Sequence, residues 1–161
     1  MDSRVGRSAY IVGHACKRNE EQPAMSPDQI ETRYCQYVED VFNHHHIDAV
    51  ATYMTPDVVC HSPGISPGHA GARQQIETLV IAFPDFHLTI DAVAAMGDEL
   101  VARLTATGTH AGVFLGVPPT GRRVRVSAFG AWQLRDDQCA AQWLQLDVLG
   151  LLQQLGAELV V

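Results

Sequence analysis

The last third of the chain decides the fold, because it carries two strand-like runs, an acidic turn and a short amphipathic helix. It begins at residue 108 with GTHAGVFLGVPPTGR, and from residue 142 it closes with QWLQLDVLGLLQQLG. Residues 123–135 and 139–146 flank Asp136-Asp137, and the side chains of both runs alternate in the way typical of a half-buried antiparallel hairpin. The pattern therefore predicts paired long strands followed by a helix.

Helices are predicted ahead of these strands. Ser26-Pro27-Asp28-Gln29 is a helix start, with serine at the N-cap, proline at the first helical position and glutamine three residues after the cap. Apolar residues at helical spacing carry this helix to about Asn43. A second short helix is expected over 48–54, capped by Asp48 and broken by Thr55-Pro56-Asp57.

The middle of the chain completes the pattern. A short strand is expected over 58–61 and a third helix over 70–82. Residues 86–92 alternate, with Phe86, Leu88, Ile90 and Ala92 on one side, and a longer strand follows over 100–110. Helices followed by a meander of antiparallel strands are typical of an α+β fold with the helices on one face of a curved sheet.

Length and composition limit the class of protein. The 161 residues, 47% apolar and 18% charged, fit one globular domain, which we assign to 26–161 after a loosely ordered extension over 1–25. The net charge of -7 argues against nucleic acid, and no apolar run is long enough to span a bilayer. Four scattered cysteines without a CxxC pair favour reduced thiols in a cytoplasm and no zinc site.

Four motifs in this order resemble those of the SnoaL-like polyketide cyclase family. They are Asp57-Val58-Val59-Cys60-His61, Phe83-Pro84-Asp85, the 108–122 segment and the helix end at 151–156. The resemblance covers about residues 28–157. It implies the cone-shaped NTF2-like fold, usually dimeric, with a deep cavity between sheet and helices. It also implies ring closure of polyketides by intramolecular aldol condensation without a metal or an organic cofactor.

The chain departs from this family where the aldol chemistry is performed. The resemblance assigns the acid/base aspartate of the last strand to Leu144, and it assigns the helping histidine and glutamine of the preceding strand to Gly130 and Ala128. The usual acidic-histidine pair before the tryptophan is Ala141-Gln142. The resemblance therefore implies the fold and a cavity, but not the acid/base machinery.

Strand parity predicts which side chains face that cavity. Gln142, Leu144 and Leu146 share one face, as do Val126, Ala128, Gly130 and Trp132. If these faces line the cavity, its floor is apolar and roomy. The substrate-pocket residues that we predict are Tyr34, Ala128, Gly130, Trp132, Gln142 and Leu144.

Two titratable residues are candidates for catalysis. Asp147 is the carboxylate nearest the lost position, although it is also well placed to cap the last helix. His61 ends a strand beside a Pro/Gly loop, where a place at the pocket rim and a purely structural hydrogen bond are equally open. We expect His110 to shape the 111–121 loop and Trp143 to pack at a subunit interface.

Three consecutive histidines, His44-His45-His46, have the composition of a metal-binding tract. Consecutive side chains on a helix or turn point in different directions, so we expect a solvated loop and no metal.

The leading hypothesis is a cofactor-independent cyclase that closes a ring in a hydrophobic polyketide intermediate of antibiotic-type biosynthesis. With apolar residues at the aldol positions, orientation of the chain for a pericyclic, Diels–Alder-like closure is favoured over acid/base catalysis. One alternative is an aldol cyclase that uses Asp147, and another is a non-catalytic binding module for an apolar metabolite. The expected partners are the polyketide and a second copy of the chain, with neither nucleic acid nor membrane.

Overall fold

The computed structural model describes residues 25–157 and confirms the α+β, NTF2-like architecture. The helical elements are α1 (Pro27–Tyr37), a π-helical turn (Val38–Asn43), a 3₁₀ turn (Ile47–Ala49), α2 (Val50–Tyr53), α3 (His69–Ala82) and α4 (Val148–Leu155). The strands are β1 (Met54–Cys60), β2 (His87–Met96), β3 (Glu99–Thr109), β4 (Arg123–Arg135) and β5 (Gln138–Leu146). Within the described residues the five strands form one curved, unclosed sheet in the order β1-β5-β4-β3-β2. The extension expected over 1–25 lies, apart from Met25, outside the described residues.

Two local signals in the sequence are confirmed atom by atom. The Gln29 amide donates to Ser26 Oγ (3.3 Å) and the Ser26 amide donates back to Gln29 Oε1 (2.8 Å), which closes the predicted capping box. Asp136 and Asp137 both adopt left-handed backbone angles, with φ of 50° and 62°. This geometry belongs to the two-residue turn whose twist matches that of the flanking strands, so the β4–β5 hairpin begins and ends where the sequence predicts.

The second helix and the first strand differ from the prediction. Asp48 lies inside the 3₁₀ turn rather than at a cap, and its carboxylate pairs with Arg73 of α3. Helix α2 ends at Tyr53, and Thr55-Pro56-Asp57, which was expected to break the helix ahead of the strand, lies within β1. Proline is tolerated there because β1, among residues 25–157, lies at the edge of the sheet and pairs with β5 alone, so its backbone need not donate to a second neighbour.

Strand β2 also departs from simple alternation. The pairing of β2 with β3 shifts by one residue between Ile90 and Ala92, which leaves Asp91 as an extra residue. Beyond this bulge Ala92 is exposed, and Val93 and Ala95 are half-buried in its place. The prediction that Ala92 continues the apolar face is therefore wrong, because one inserted residue exchanges the two faces of a strand.

The side chain of Asn43 ties the end of the first helical segment to β2. Asn43 Nδ2 donates to the Leu88 carbonyl (3.1 Å), and the Leu88 amide donates to Asn43 Oδ1 (2.8 Å). An edge strand presents unpaired backbone groups, and the Asn43 amide satisfies two of them. The helix end and the sheet edge are therefore fixed to each other.

One face of the sheet, which we call the inner face, is buried against the helices. On β3 and β4 its buried residues are Leu100, Ala102, Leu104, Ala106, Gly108, Val124, Val126, Ala128, Gly130, Trp132 and Leu134. The opposite, outer face exposes large apolar side chains, among them Val101 and Phe129. The core of the protein therefore lies between the inner face and the helices.

One close contact in this core joins α1 to the centre of the sheet at Gly130. A Cβ atom placed on Gly130 would lie 2.5 Å from the hydroxyl oxygen of Tyr34, so only glycine leaves room for this tyrosine. Tyr34 is 3% exposed and meets Trp132 edge-on, with ring centroids 5.0 Å apart. Tyr37 adds a second aromatic contact to Trp132 at 4.8 Å. Aromatic pairs of this kind stabilise a core beyond the area that they bury.

Neither a disulfide nor a membrane span is found between residues 25 and 157. Cys35, Cys60 and Cys139 are free thiols. No helix in this part of the chain is long and apolar enough to cross a membrane.

The contact between Tyr34 and Gly130 predicts a strong coupling between two substitutions. Gly130→Ala is expected to destabilise the fold by about 1–3 kcal/mol, because the new methyl group meets the tyrosine hydroxyl. Tyr34→Phe removes that oxygen, so the double variant should be more stable than the sum of the single effects by about 1 kcal/mol or more. Urea unfolding of the four proteins measures the coupling.

The matched control replaces the neighbouring tyrosine. Tyr37→Phe combined with Gly130→Ala is expected to be additive within about 0.5 kcal/mol, because Tyr37 is not among the nearest neighbours of the added Cβ. Equal coupling for the two tyrosines, or none for Tyr34, would contradict this description of the core.

Candidate functional site

The predicted substrate-pocket residues are brought together on the inner face. Trp132 lies opposite Gln142, Gly130 opposite Leu144, and Ala128 opposite Leu146 in the pairing of β4 with β5. Directly opposed residues in an antiparallel pair point to the same side of the sheet, so the predicted parity is confirmed. Tyr34 reaches the same place from α1.

At its centre, however, this face is packed. Ala128, Trp132 and Tyr34 are 1%, 3% and 3% exposed. The space that glycine leaves at position 130 is occupied by the Tyr34 hydroxyl. The expectation of a roomy floor at Gly130 is therefore wrong, because a side chain from a helix distant in sequence fills it.

Gln142 is the polar group of this cluster, and its amide is fully engaged. Its Nε2 donates to Gln75 Oε1 (2.9 Å) and to Cys60 Sγ (3.1 Å), while its Oε1 accepts from the Tyr37 hydroxyl (3.4 Å). Gln75 Nε2 in turn donates to Ser62 Oγ (2.8 Å). Sequence analysis identified Gln142 but not these partners, which come from α1, β1 and α3 and are far from it along the chain. A buried network of this kind holds side chains in place, since a lost partner leaves a desolvated polar group.

The titratable groups around the cluster are held neutral. Burial raises the pKa of the Tyr34 and Tyr37 phenols well above the ordinary value of 10.0, and burial also raises the pKa of the Cys60 thiol. A phenol in this state donates a hydrogen bond but does not act as a base near neutral pH. Among the described residues, the buried polar side chains other than tyrosine and cysteine are Thr55, His110 and Gln142, and none is a carboxylate.

Asp147 lies at the start of α4, where it serves as the N-cap. Its Oδ1 accepts a hydrogen bond from the Gly150 amide at 2.8 Å, and the side chain is exposed. The predicted capping role is confirmed. Its catalytic role stays a prediction, and the carboxylate reaches solvent rather than the packed inner face.

His61 is exposed and stacks on Trp143. The two rings are parallel within 1°, with centroids 4.3 Å apart, and the His61 amide donates to the Gln142 carbonyl (2.8 Å). Trp143 follows Gln142 on β5 and therefore points to the outer face, with 37% of its surface exposed. The catalytic role of His61 and the subunit interface at Trp143 both stay predictions.

His110 holds the 111–121 loop, as its position in the sequence suggests. The ring is fully buried, and its Nδ1 lies 3.1 Å from Thr120 Oγ1 and 3.3 Å from the Thr120 amide. The backbone of His110 also pairs with Gly121 and Arg122. Nearby, Asp85 of the Phe83-Pro84-Asp85 motif accepts hydrogen bonds from the amide and hydroxyl of Thr109, and these donors lower the pKa of its carboxyl. Both motif residues therefore have structural partners.

An apolar pocket that sequence analysis did not identify lies beyond the packed centre of the inner face. It holds about 250 Å³ of empty space, including the part open to solvent. Its lining comes from α3, β3, β4, β5, α4 and the segment after α3, namely Leu79, Phe83, Phe86, Ala106, Thr107, Val124, Val126, Leu146 and Leu151. Thr107 is the one polar residue in this lining. Val126 and Leu146 belong to the face that parity predicts, so the pocket continues the inner face past Ala128.

Comparison with known proteins identifies the family. The family model described as SnoaL-like polyketide cyclase matches residues 32–155. A search of curated protein sequences found no match.

Among solved structures, TsrD from Streptomyces laurentii has a TM-score of 0.78 at 27% identity, over 84% of this chain and 100% of that one. AclR from Streptomyces galilaeus, named a candidate hydroxylase, has a TM-score of 0.73 at 27% identity, over 84% and 90% of the two chains. IdmH from Streptomyces antibioticus, named a candidate polyketide cyclase, has a TM-score of 0.69 at 27% identity, over 80% and 99%. The chain belongs to the SnoaL-like polyketide cyclase family.

Proposed function

We propose that this protein is a cyclase that closes a ring in a hydrophobic polyketide intermediate by holding the linear molecule in a folded conformation. Membership of the cyclase family supports the reaction class. The apolar pocket beyond Ala128 supports the assignment of an apolar, neutral substrate. The ring closure itself needs no organic cofactor in this proposal.

One observation carries the mechanistic part of the proposal. The inner face has Ala128, Gly130 and Leu144 at the positions where the family resemblance implies acid/base groups. Aldol closure needs a group that takes a proton from carbon and returns one to the new alkoxide. A pericyclic closure rearranges electron pairs within the substrate and requires no such group.

Orientation alone can accelerate such a reaction considerably. A linear polyene loses conformational entropy when its two ends are brought together. In a pocket that binds the folded form, this entropy is lost on binding and no longer adds to the barrier of ring closure. For well-oriented intramolecular reactions this effect reaches roughly 7–11 kcal/mol. Rigid walls are required, and the aromatic cluster of Tyr34, Tyr37 and Trp132 stiffens the adjoining part of the inner face.

The size of the pocket implies that it opens for its substrate. Pockets for drug-sized ligands hold about 300–1,000 Å³, whereas the space in this pocket that a water-sized sphere can occupy is about 10 Å³. Phe83, Phe86 and Leu151 line the pocket from segments outside the sheet, so their movement would enlarge it without disturbing the strand pairing.

Two alternatives remain distinct from this proposal. An aldol cyclase would use Asp147, the carboxylate closest in sequence to the lost position, as its acid and base. A non-catalytic module would bind an apolar metabolite in the same pocket without changing it. Both alternatives differ from the leading proposal in the rate of ring closure that they predict for the natural intermediate.

The intermediate can be obtained without knowing its identity in advance. Deletion of the gene in the source organism should cause an uncyclised compound to accumulate, and its ring-closed counterpart should disappear. A pericyclic closure leaves the mass unchanged, whereas an aldol condensation that ends in dehydration loses one molecule of water. If the purified protein binds the accumulated compound but does not accelerate its conversion, the binding-module alternative is correct.

Replacement of Asp147 by serine separates the two catalytic mechanisms. Serine caps a helix about as well as aspartate, so Asp147→Ser should fold with a loss of a few tenths of a kcal/mol while lacking a carboxylate. We expect its rate of ring closure to stay within about twofold of wild type and both rates to vary little between about pH 6 and pH 9, whereas loss of an acid/base group costs roughly 10²–10⁴-fold. A loss of that size in the serine variant, with a bell-shaped pH profile in wild type, would establish the aldol mechanism.

Filling the pocket tests where the substrate binds. Ala106→Leu places a larger side chain into the space lined by Phe83 and Val126, and we expect it to lower kcat/KM about tenfold or more, which corresponds to about 1.4 kcal/mol. Ala131→Leu, on the outer face of the same sheet, is the matched control and should leave ring closure unchanged. If Ala106→Leu is as active as wild type, the substrate binds elsewhere.

A further inference from the structure

We propose that Asp40, His44 and His46 form a binding site for a divalent transition-metal ion of the zinc type at the end of the first helical segment. Their ligand atoms all lie within 4.8 Å of one another, and the two histidine rings are 5.7 Å apart between centroids. None of the three lines the apolar pocket, so this site is separate from the proposed reaction.

The backbone explains why these residues meet although sequence analysis expected the histidines to diverge. Asp40 and His44 are four residues apart and therefore share a helix face. The π-helical turn ends with the His44 amide donating to the Glu39 carbonyl at 2.9 Å. His45 then adopts a left-handed conformation, with φ of 57°, and reverses the chain. The His46 amide consequently folds back to donate to the Asp40 carbonyl at 3.0 Å, which places its side chain beside the other two.

The carboxylate of this trio is oriented by a buried neighbour. The Tyr53 hydroxyl donates a hydrogen bond to Asp40 Oδ2, which leaves the other carboxylate oxygen for a ligand role. Tyr53 is 5% exposed and packs edge-on against Tyr37, so its position is fixed by the core. Metal ligands are typically held by a second layer of hydrogen bonds of this kind.

The donor set indicates which ions fit. Two imidazole nitrogens and one carboxylate oxygen suit Zn²⁺, Co²⁺ or Ni²⁺, whereas Ca²⁺ and Mg²⁺ prefer oxygen ligands alone. At zinc bond lengths, tetrahedral donors lie about 3.3 Å apart, so the side chains must close by at most about 1.5 Å. Both histidines are exposed, so no core packing opposes this movement. Glu39, which is outside the trio, has its Oε1 3.5 Å from His44 Nε2.

A bound ion would stabilise the region where several elements meet. Asp40 belongs to the π-helical turn, Tyr53 ends α2, and Asn43 of the same turn is bonded to β2. An ion that binds only the folded chain raises its stability in proportion to the logarithm of the ion concentration over Kd. The proposed role is therefore structural reinforcement of the helix end.

The test uses Zn²⁺ and Co²⁺ with the full-length protein. Calorimetric titration with Zn²⁺ is expected to saturate at one ion per chain. Bound Zn²⁺ should also raise the Tm of the protein, and bound Co²⁺ should give a visible absorption band typical of nitrogen and oxygen ligands. His44→Ala and His46→Ala should each weaken binding about tenfold or more, and Tyr53→Phe about tenfold, in line with the effect of second-layer partners. Asp40→Asn, which keeps a hydrogen-bond acceptor for Tyr53, should weaken binding as much as the histidine variants.

His87→Ala is the matched control, since His87 is an exposed histidine outside the cluster. Its affinity and its zinc-dependent rise in Tm should equal those of wild type. Three results would overturn the proposal: no saturation at a roughly hundredfold excess of Zn²⁺, unchanged affinity in both histidine variants, or an equal loss in His87→Ala. Circular dichroism of each variant without metal confirms that the comparison is between folded proteins.

Discussion

The contact of Tyr34 with Gly130 is the constraint on which the rest of the inner face depends. Because a Cβ at position 130 would lie 2.5 Å from the tyrosine hydroxyl, no larger residue fits there while Tyr34 keeps its place. The family resemblance implies a histidine at this position in the aldol cyclases. In this chain the tyrosine hydroxyl occupies the space beside position 130, so that α1 packs directly onto the centre of the sheet.

The contact of Tyr34 with Gly130 divides the inner face into two regions with different properties. Around Gly130 the face is filled by Tyr34 and Trp132, and Gln142 is bound on all sides by its own partners. Beyond Ala128 the face opens into an apolar pocket whose polar component is Thr107. The candidate carboxylate at Asp147 caps a helix, and the other described acidic side chains are at least partly exposed. Such a pocket can act on a reacting molecule through its shape and by orienting the parts that react.

Much of the fold follows from local patterns in the sequence. The capping box at Ser26, the hairpin at Asp136-Asp137 and the shared face of Gln142 and Leu144 depend on residues a few positions apart or on the period of a strand, and all three are confirmed. The errors occur where one residue changes the period. The bulge at Asp91 exposes Ala92 and, in the same way, the π-helical turn and the left-handed His45 bring His46 back to Asp40.

Less of the candidate site than of the fold could be predicted from the sequence, for a different physical reason. Its decisive contacts join segments far apart in the chain, such as Tyr34 with Gly130 and Gln75 with Gln142. Strand parity identifies which residues face inward, but it does not reveal whether a helix side chain fills the space above them. The open part of the inner face was therefore placed too close to Gly130, while the pocket beyond Ala128 was missed.

The solvent isotope effect on ring closure tests the central claim most directly. The rate with the natural linear intermediate is measured at saturation in H₂O and in D₂O, at matched positions on the pH profile. Closure by orientation transfers no proton in the transition state, so the account predicts equal rates in the two solvents. A clearly faster reaction in H₂O would show that a proton moves during catalysis and would contradict it.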